Sequence, residues 1–483
     1  MKESKGAGKI QRRDLFRMAG AGTIVAAAER LGALELKPSA DLLESASSSA
    51  WREATSVDAD REQAWQQRMN WWRDAKFGLF IHWNPSSVAS VEISWPIMRP
   101  NPKWHITEEE YVNLYKRFDP SKFNPDSWVE LAEAAGQKYV VFTTKHHDGF
   151  CMFDSSFTNY KITNTPYKKD ILRMLADACS RRSMPLGYYY SPPDMHHPDF
   201  RDTSKPAREN WEGEPARPQW PIYLQYMQLQ LRELVTRYGE PALFFFDGLD
   251  QQEKYDGYYI ERMLRELSPS SLINNRLGTP GDYETPEQFV PARIPVKGYR
   301  IVGVNPELGS ELPGGIPRPE EFRPWETCMT MNDTWGYNKN DRKFKSTKTI
   351  IRALVDVASK GGNLLLNVGP TDEGLIQPEF ADRLRDVGRW LQVNGESIYG
   401  TTYGPVQGLS YGRTTAKQGV VYLHVFDSPG GEVSVAGMAP VRRVELLADG
   451  QVLRHRQSGN TLAIQLPPNL PDTIDSVVKI ELH

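Results

Sequence analysis

Leu243-Phe244-Phe245-Phe246-Asp247-Gly248 decides how the rest of the chain is read. Four large apolar residues run straight into a carboxylate and a glycine. An apolar run this short, closed by a turn residue, reads as a strand buried on both faces, the kind found in parallel sheets. The stretch before it, residues 223–238 with Gly239 as a stop, reads as a helix, so the unit is an αβ pair. An acid at the C-terminal end of such a strand sits where barrel folds place their chemistry. On this stretch alone, capping of the following loop accounts for Asp247 equally well.

The same alternation extends on both sides. Residues 77–83, Phe-Gly-Leu-Phe-Ile-His-Trp, form a first buried strand that ends in a histidine. Asn124 is a good N-cap, Pro125 suits the first helical position and Gly136 is a stop, with Trp128, Leu131, Ala132 and Ala135 as the apolar stripe. That helix feeds a strand over 139–144, which ends in Lys145-His146-His147-Asp148-Gly149. A helix over 170–182 precedes a strand over 186–191. Beyond the central strand, a helix over 258–267 leads to Leu272-Ile273-Asn274-Asn275-Arg276. A helix over 347–359 precedes a strand over 363–368, and a helix over 378–393 closes the series. Repeated units of this kind, with polar residues collecting at strand ends, predict an α/β fold, a (β/α)8-like barrel. A doubly wound open sheet is the rival, but no glycine-rich phosphate fingerprint follows the first strand.

Residues 277–345 are rich in Pro and Gly and weak in periodicity, so they read as loops over one barrel face. After Gly400, short alternating strands over 420–426, 432–435, 441–447, 461–466 and 477–482 are separated by turns such as Ser428-Pro429-Gly430-Gly431. They predict a C-terminal antiparallel β-sandwich. The expected organisation is a leader over 1–28, a linker or N-terminal arm over 29–62, the barrel over 63–397 and the sandwich over 398–483.

In the leader, Arg12-Arg13-Asp14-Leu15-Phe16 follows Lys2, Lys5 and Lys9 and precedes an Ala/Gly-rich apolar run over 18–28. This resembles a twin-arginine export signal, with Ala26-Ala27-Ala28 as a cleavage site. The run is too short to cross a membrane, which takes about 20 residues. The expectation is export to the periplasm or beyond, with no membrane association once the signal is removed. A length of 483 residues exceeds one ordinary core, and 25% charged residues with a net charge of -3 describe a soluble protein. No basic run with interleaved aromatics suggests a nucleic-acid partner. The 13 Trp and 21 Tyr suit sugar rings, although core packing accounts for most such residues. Cys151, Cys179 and Cys328 have no paired spacing, so they read as buried thiols. The sequence is compatible with an oligomer and fixes no state.

The polar residues at the expected strand ends are His82, His146, His147, Tyr190, Asp247 and Arg276, with Glu284 and Glu287 in the loop just beyond. Hydrogen-bonding rings, one cation and several carboxylates suit a polyhydroxylated substrate, because glycoside hydrolysis needs a pair of acids. A zinc site at His82, His146 and His147 is the competing reading. Against it, adjacent histidines at one strand end should diverge, and the usual HxH or HxxE ligand spacing is absent.

These residues carry a family resemblance. The 77–83 strand, the stretch from Lys138 to Phe150, Gly361-Gly362-Asn363-Leu364-Leu365-Leu366-Asn367-Val368-Gly369-Pro370 and Asn394-Gly395-Glu396-Ser397-Ile398-Tyr399-Gly400 are similar, in the same order, to signatures of glycoside hydrolase family 29, the α-L-fucosidases. The resemblance spans about residues 65 to 400. It implies a retaining exo-glycosidase without metal or cofactor, on a barrel followed by a sandwich, acting on fucosylated oligosaccharides or glycoconjugates. It implies Asp247 as nucleophile and Glu287 as acid/base, with Glu284 as second choice, in an Asp-aromatic-x-Thr-x-Glu pattern. His82, Trp95, His146, His147, Tyr190 and Arg276 are then the sugar-contacting set. The sequence departs from the family at Asn84-Pro85, at Ser94-Trp95 with an acid displaced to Glu92, and at Phe245, where Trp is common. These departures leave a fucose-like sugar such as α-L-galactose open as the substrate, and a catalytically silent sugar-binding role open as well.

Overall fold

The structure is a computed structural model that describes residues 55–99, 104–217, 219–249 and 251–483. The expected export signal lies outside the described residues. Nine strands build the first unit: β1 (Phe77–Ile81), β2 (Val140–Lys145), β3 (Leu186–Tyr190), β4 (Leu243–Phe246), β5 (Leu272–Ile273), β6 (Thr285–Pro286), β7 (Val302–Gly303), β8 (Glu326–Thr330) and β9 (Asn363–Val368). Seven of them form one curled parallel sheet in the order β5-β4-β3-β2-β1-β9-β8. The opening between its two edges is spanned by the segment around β6. Tyr283 bridges to Asn274 beside β5, while Glu284 and Glu287 bridge to Trp325 and Cys328 on the other edge. The expected eighth barrel strand is therefore present only as isolated bridges. Pro286 explains part of this, because it has no N–H to give a ladder.

Strand parity sorts the core into two layers. Leu79, Ile81, Phe142, Tyr188, Tyr190, Phe244, Phe246 and Leu366 pack outward against the helices. Phe80, Val141, Tyr189, Phe245, Cys328 and Leu365 pack inside the curl. Both layers are apolar, which is why these strands read as continuous hydrophobic runs. The interior is closed from below by the helix Thr55–Ala75, whose Met69, Trp72 and Ala75 join the inner layer. The Trp72 ring lies 4.7 Å from that of Tyr283, and the Trp72 carbonyl accepts from Asn363 Nδ2 at 2.8 Å. This helix begins at Thr55, inside the stretch expected to be a linker.

Besides the short pair β6 and β7, one strand of the seven-stranded sheet falls within the 277–345 segment expected to be loops. β8 reads Glu-Thr-Cys-Met-Thr, yet all five residues are buried. Its polar side chains find internal partners: Tyr139 donates to Glu326, and Thr327 Oγ1 donates to the Phe289 carbonyl at 2.7 Å.

The C-terminal unit holds β10 (Thr402–Tyr403), β11 (Gly412–Lys417), β12 (Val420–Val425), β13 (Glu432–Val435), β14 (Val441–Leu446), β15 (His455–Ser458), β16 (Thr461–Gln465) and β17 (Ser476–Leu482). One antiparallel sheet runs β10-β11-β12-β17-β14 and the other β13-β16-β15, with Leu423, Val433, Leu446, Ile464 and Ile480 in a shared core. Arg352 Nη1 reaches Asp427 Oδ2 at 2.8 Å and Trp390 Nε1 reaches the Asp475 carbonyl at 3.2 Å, tying this unit to the helices of the first. Among the described residues, no helix is long and apolar enough to cross a membrane.

Candidate active site

Asp247 is the first residue after β4, and its carboxylate is held on both oxygens. Oδ2 accepts the Tyr189 hydroxyl at 2.9 Å, and Oδ1 accepts Arg276 Nη1 at 3.1 Å. Arg276 comes from the turn that follows β5. Its Nε donates to Thr285 Oγ1 at 2.9 Å and its Nη2 to the Thr285 carbonyl at 3.0 Å, while its face lies over the Phe245 ring. The same Nη1 donates to Glu287 Oε2 at 2.9 Å. One nitrogen thus holds both carboxylates, so the two bonded oxygens are at most about 6 Å apart, close to the 5–5.5 Å of retaining glycosidases. Glu287 is fixed by its own backbone, which donates to the Gly303 carbonyl at 2.8 Å, and by Gln288, whose N–H bonds the Cys328 carbonyl at 2.9 Å.

The environments of the two acids push them apart. Burial raises the pKa of Asp247, but Arg276 and the Tyr189 hydroxyl outweigh it and leave the group below its ordinary value. Burial also raises Glu287, the charge on Asp247 raises it further, and Arg276 offsets this only in part, so Glu287 sits above its ordinary value. One acid tends to be ionised and the other protonated.

Three histidines line the cleft with these acids. His82 follows β1, and burial holds its pKa down at about 3, so the ring is neutral. Asn367 Nδ2 donates to the Trp335 carbonyl at 2.8 Å, which turns Oδ1 toward His82 Nδ1 at 2.7 Å. The proton is therefore on Nδ1, and Nε2 is a bare acceptor for a hydroxyl. His147 follows the same logic. Ser191 Oγ donates to the Pro193 carbonyl at 2.7 Å and so accepts from His147 Nδ1 at 2.7 Å. Burial holds the pKa of His147 at about 4, and its Nε2 lies 3.5 Å from Asp247 Oδ2. His146 Nδ1 meets Ser94 Oγ at 2.6 Å. Adjacent histidines were expected to diverge, yet these two rings are 4.2 Å apart and both face the cleft. Strand alternation ends at Lys145, and the chain then turns back through Gly149, at φ +81°, where a Cβ would strike Asp194.

Phe80, Tyr189, Phe245, Cys328 and Trp335 complete the walls, and Trp95, Arg99, Trp211, Leu249 and Val302–Gly303 with Val304 complete the mouth. His146, His147 and Asp247 are the one group among the described residues whose ligand atoms, within 4.8 Å of one another, could hold a metal ion. It is not the trio weighed from the sequence. A cation there would share Asp247 with the Arg276 guanidinium, which weighs against metal and toward hydroxyl recognition.

A sequence model described as alpha-L-fucosidase matches residues 43–396. The chain belongs to the α-L-fucosidase family, glycoside hydrolase family 29. It is 31% identical to the tissue α-L-fucosidase of Bos taurus over 368 residues, 70% of each chain. Among solved structures it is similar to α-L-fucosidase isoenzyme 1 from Paenibacillus thiaminolyticus, with 36% identity and a TM-score of 0.76 over 87% of this chain and 100% of that one. It is also similar to a family 29 α-L-fucosidase from Bacteroides thetaiotaomicron, with 27% identity and a TM-score of 0.70 over 86% of this chain and 96% of that one. That enzyme was solved as a trapped covalent intermediate with 2-fluoro-fucosyl fluoride in a glutamate-to-glutamine variant.

Two of the residues expected in this fucosidase's site lie elsewhere. Tyr190 is fully buried and its hydroxyl donates to Gln230 Oε1 at 2.7 Å in the helix layer. Its neighbour Tyr189 takes the place at Asp247, because successive strand side chains point to opposite faces. Glu284 does not line the cleft. Its Oε1 accepts Arg323 Nε at 2.9 Å and its Oε2 accepts Asn275 Nδ2 at 2.6 Å and the Ile301 N–H at 2.8 Å. The departures from the family pattern have structural uses too. Glu92 accepts the N–H groups of Trp335 and Gly336, both at 2.8 Å, and so braces the loop that carries Trp335 onto His82. Asn84 accepts from Ser86 N–H and donates to Asp148 Oδ2 at 2.5 Å, fixing the turn after His147. Trp95 lies edge-on to His147, their ring centres 6.0 Å apart.

Proposed function

We propose that this fucosidase is an exported, retaining exo-enzyme that releases terminal α-L-fucosyl residues from oligosaccharides or glycoconjugates by double displacement. The observation that carries the reading is the single Arg276 nitrogen shared by Asp247 and Glu287. It keeps the bonded oxygens of two acids of opposite protonation tendency within about 6 Å, which supports retention over inversion.

In the first step a carboxylate oxygen of Asp247 attacks the anomeric carbon while the protonated Glu287 gives its proton to the departing oxygen. In the second, Glu287 takes a proton from water, the water oxygen attacks the same carbon, and Asp247 leaves as the carboxylate. Tyr189 and Arg276 keep Asp247 charged before attack, and the bare Nε2 atoms of His82 and His147 accept sugar hydroxyls. A cleft closed at its inner end admits one terminal sugar, which supports exo action. The covalent intermediate trapped in the Bacteroides relative supports the same route here. Export rests on the twin arginines, Arg12 and Arg13.

A panel of aryl α-L-fucoside, α-L-galactoside and β-D-galactoside, with the product anomer followed by NMR, tests the reading. Release of α-L-fucose as the first product supports it, and release of the β anomer overturns retention. Preference for the α-L-galactoside would move the substrate to that sugar, and sugar binding without hydrolysis of any glycoside would show a silent binding protein. Asp247→Ala should lose nearly all turnover and regain part of it with azide.

A further inference from the structure

The cleft has a buried base and an exposed rim. Phe80, His82, Tyr189, Phe245 and Arg276 are buried, whereas Arg99 and Val304 are exposed. A sugar seated on the base must send its leaving group out past the rim. Arg99 occupies that rim in an unusual way. Its guanidinium carbon lies 5.2 Å from the Trp95 ring centre and 4.9 Å from that of Trp211. Two indoles engage the cation, and the planar group keeps its N–H donors for something else. Among the described residues, no carboxylate lies within ion-pair distance of Arg99 and no side-chain hydrogen bond occupies it. Arg276, the other arginine of the cleft, is by contrast committed to both acids.

The rim is a built structure. The short helix Trp95–Met98 follows β1, and the segment that carries Trp211 follows β3. Glu108 ties the second to the body, accepting Arg201 Nη2 at 2.6 Å and the Ala207 N–H at 2.8 Å. Asn210 pins the turn beyond Trp211 through two bonds to the Glu214 backbone, at 2.6 and 3.0 Å. A hollow on the same side holds one acid, Glu214, with two bases, Arg217 and Lys254, so positive charge prevails among its lining residues. A cation held by aromatic rings at the exit of a glycosidase cleft fits an oxyanion on the departing group.

We propose that Arg99 is a specificity-determining residue for the leaving group and favours one that bears an oxyanion, a carboxylate or a sulfonate or sulfate, close to the scissile bond. The inference rests on the fucosidase reading of Asp247 and Glu287. It is tested with 3-carboxyphenyl, 3-sulfophenyl and 3-carbamoylphenyl α-L-fucosides, the last a neutral near-isostere. At low ionic strength kcat/KM should be about two- to fivefold higher for the acidic substrates than for the amide, the range of an exposed ion pair. The preference should fall toward one at about 0.5 M salt, where screening is strong, and in Arg99→Gln. Arg99→Lys, which keeps the charge and loses the planar fork, should fall between. The carboxylate and sulfonate arms separate the two kinds of anion. A wild-type ratio of one at low salt, or a ratio that Arg99→Gln does not move, would overturn the proposal while leaving the functional reading intact. Failure to hydrolyse any of the three would overturn the functional reading and this inference with it.

Discussion

Removing one oxygen atom, in Tyr189→Phe, tests how the charge on Asp247 is maintained. The Tyr189 hydroxyl gives Asp247 Oδ2 a bond of 2.9 Å. Hydrogen bonds to charged groups are worth about 1.5–3 kcal/mol, and one pKa unit corresponds to about 1.4 kcal/mol. Without the hydroxyl, burial is opposed by Arg276 but no longer by a bond worth that much, so the pKa of Asp247 rises. Activity needs the carboxylate, so the acid limb of the kcat/KM profile, which reports the free enzyme, moves up with it. Stability should follow with a definite sign. A carboxylate whose folded pKa lies below its unfolded value stabilises the fold above the unfolded pKa, and the contribution is lost as pH falls through the folded one. The melting deficit of Tyr189→Phe is therefore greatest near neutral pH and narrows in acid. Tyr190→Phe is the control. It loses a bond to Gln230 in the helix layer and costs about 1–3 kcal/mol of stability, yet leaves the acid limb in place. A limb that stays put in Tyr189→Phe, or that moves in Tyr190→Phe instead, would refute the reasoning.

Three other outcomes follow from the geometry. Glu287→Gln should abolish the alkaline limb, because the raised pKa of Glu287 is what keeps the acid protonated as pH rises. It should slow substrates with poor leaving groups by about 10²–10⁴-fold and activated aryl fucosides by less, as steady-state rates across a leaving-group series will show. Glu284→Gln breaks the pair with Arg323 and should cost about 3 kcal/mol in denaturant unfolding, with a far smaller loss of kcat than Glu287→Gln. Exhaustive chelation should leave activity on an aryl fucoside unchanged, since the Asp247 carboxylate is engaged by Arg276 and Tyr189.

Much of the site could be read from the chain because its acids and rings stand where apolar runs stop. Asp247 closes four apolar residues, His82 closes five, and Arg276 follows a short strand, so each is displayed at a strand end by the hydrophobic pattern itself. Parity is a different matter. Tyr188-Tyr189-Tyr190 is apolar on both sides of its strand, and nothing in such a run says which face each residue takes. The inner face went to Tyr189 because the pairing of β3 with β2 and β4 sets it there. β8 was invisible for the opposite reason. Its Glu and Thr residues look exposed until Tyr139 and Phe289 appear as partners from distant parts of the chain. Arg99, Trp211 and Trp335 come from loops after different strands, and only the closed curl brings them to one cleft. The helix Thr55–Ala75 was read in part as linker because it begins among polar and charged residues; its apolar Met69, Trp72 and Ala75 come only in its last two turns.

The most direct measurement is the mass of the enzyme after exposure to 2-fluoro-fucosyl fluoride, followed by peptide mapping. The account predicts a single fluorofucosyl adduct on the peptide that contains Asp247, formed at its side chain. An adduct on Glu287 or on a histidine, or turnover of fucosides to the inverted anomer with no adduct at all, would contradict it.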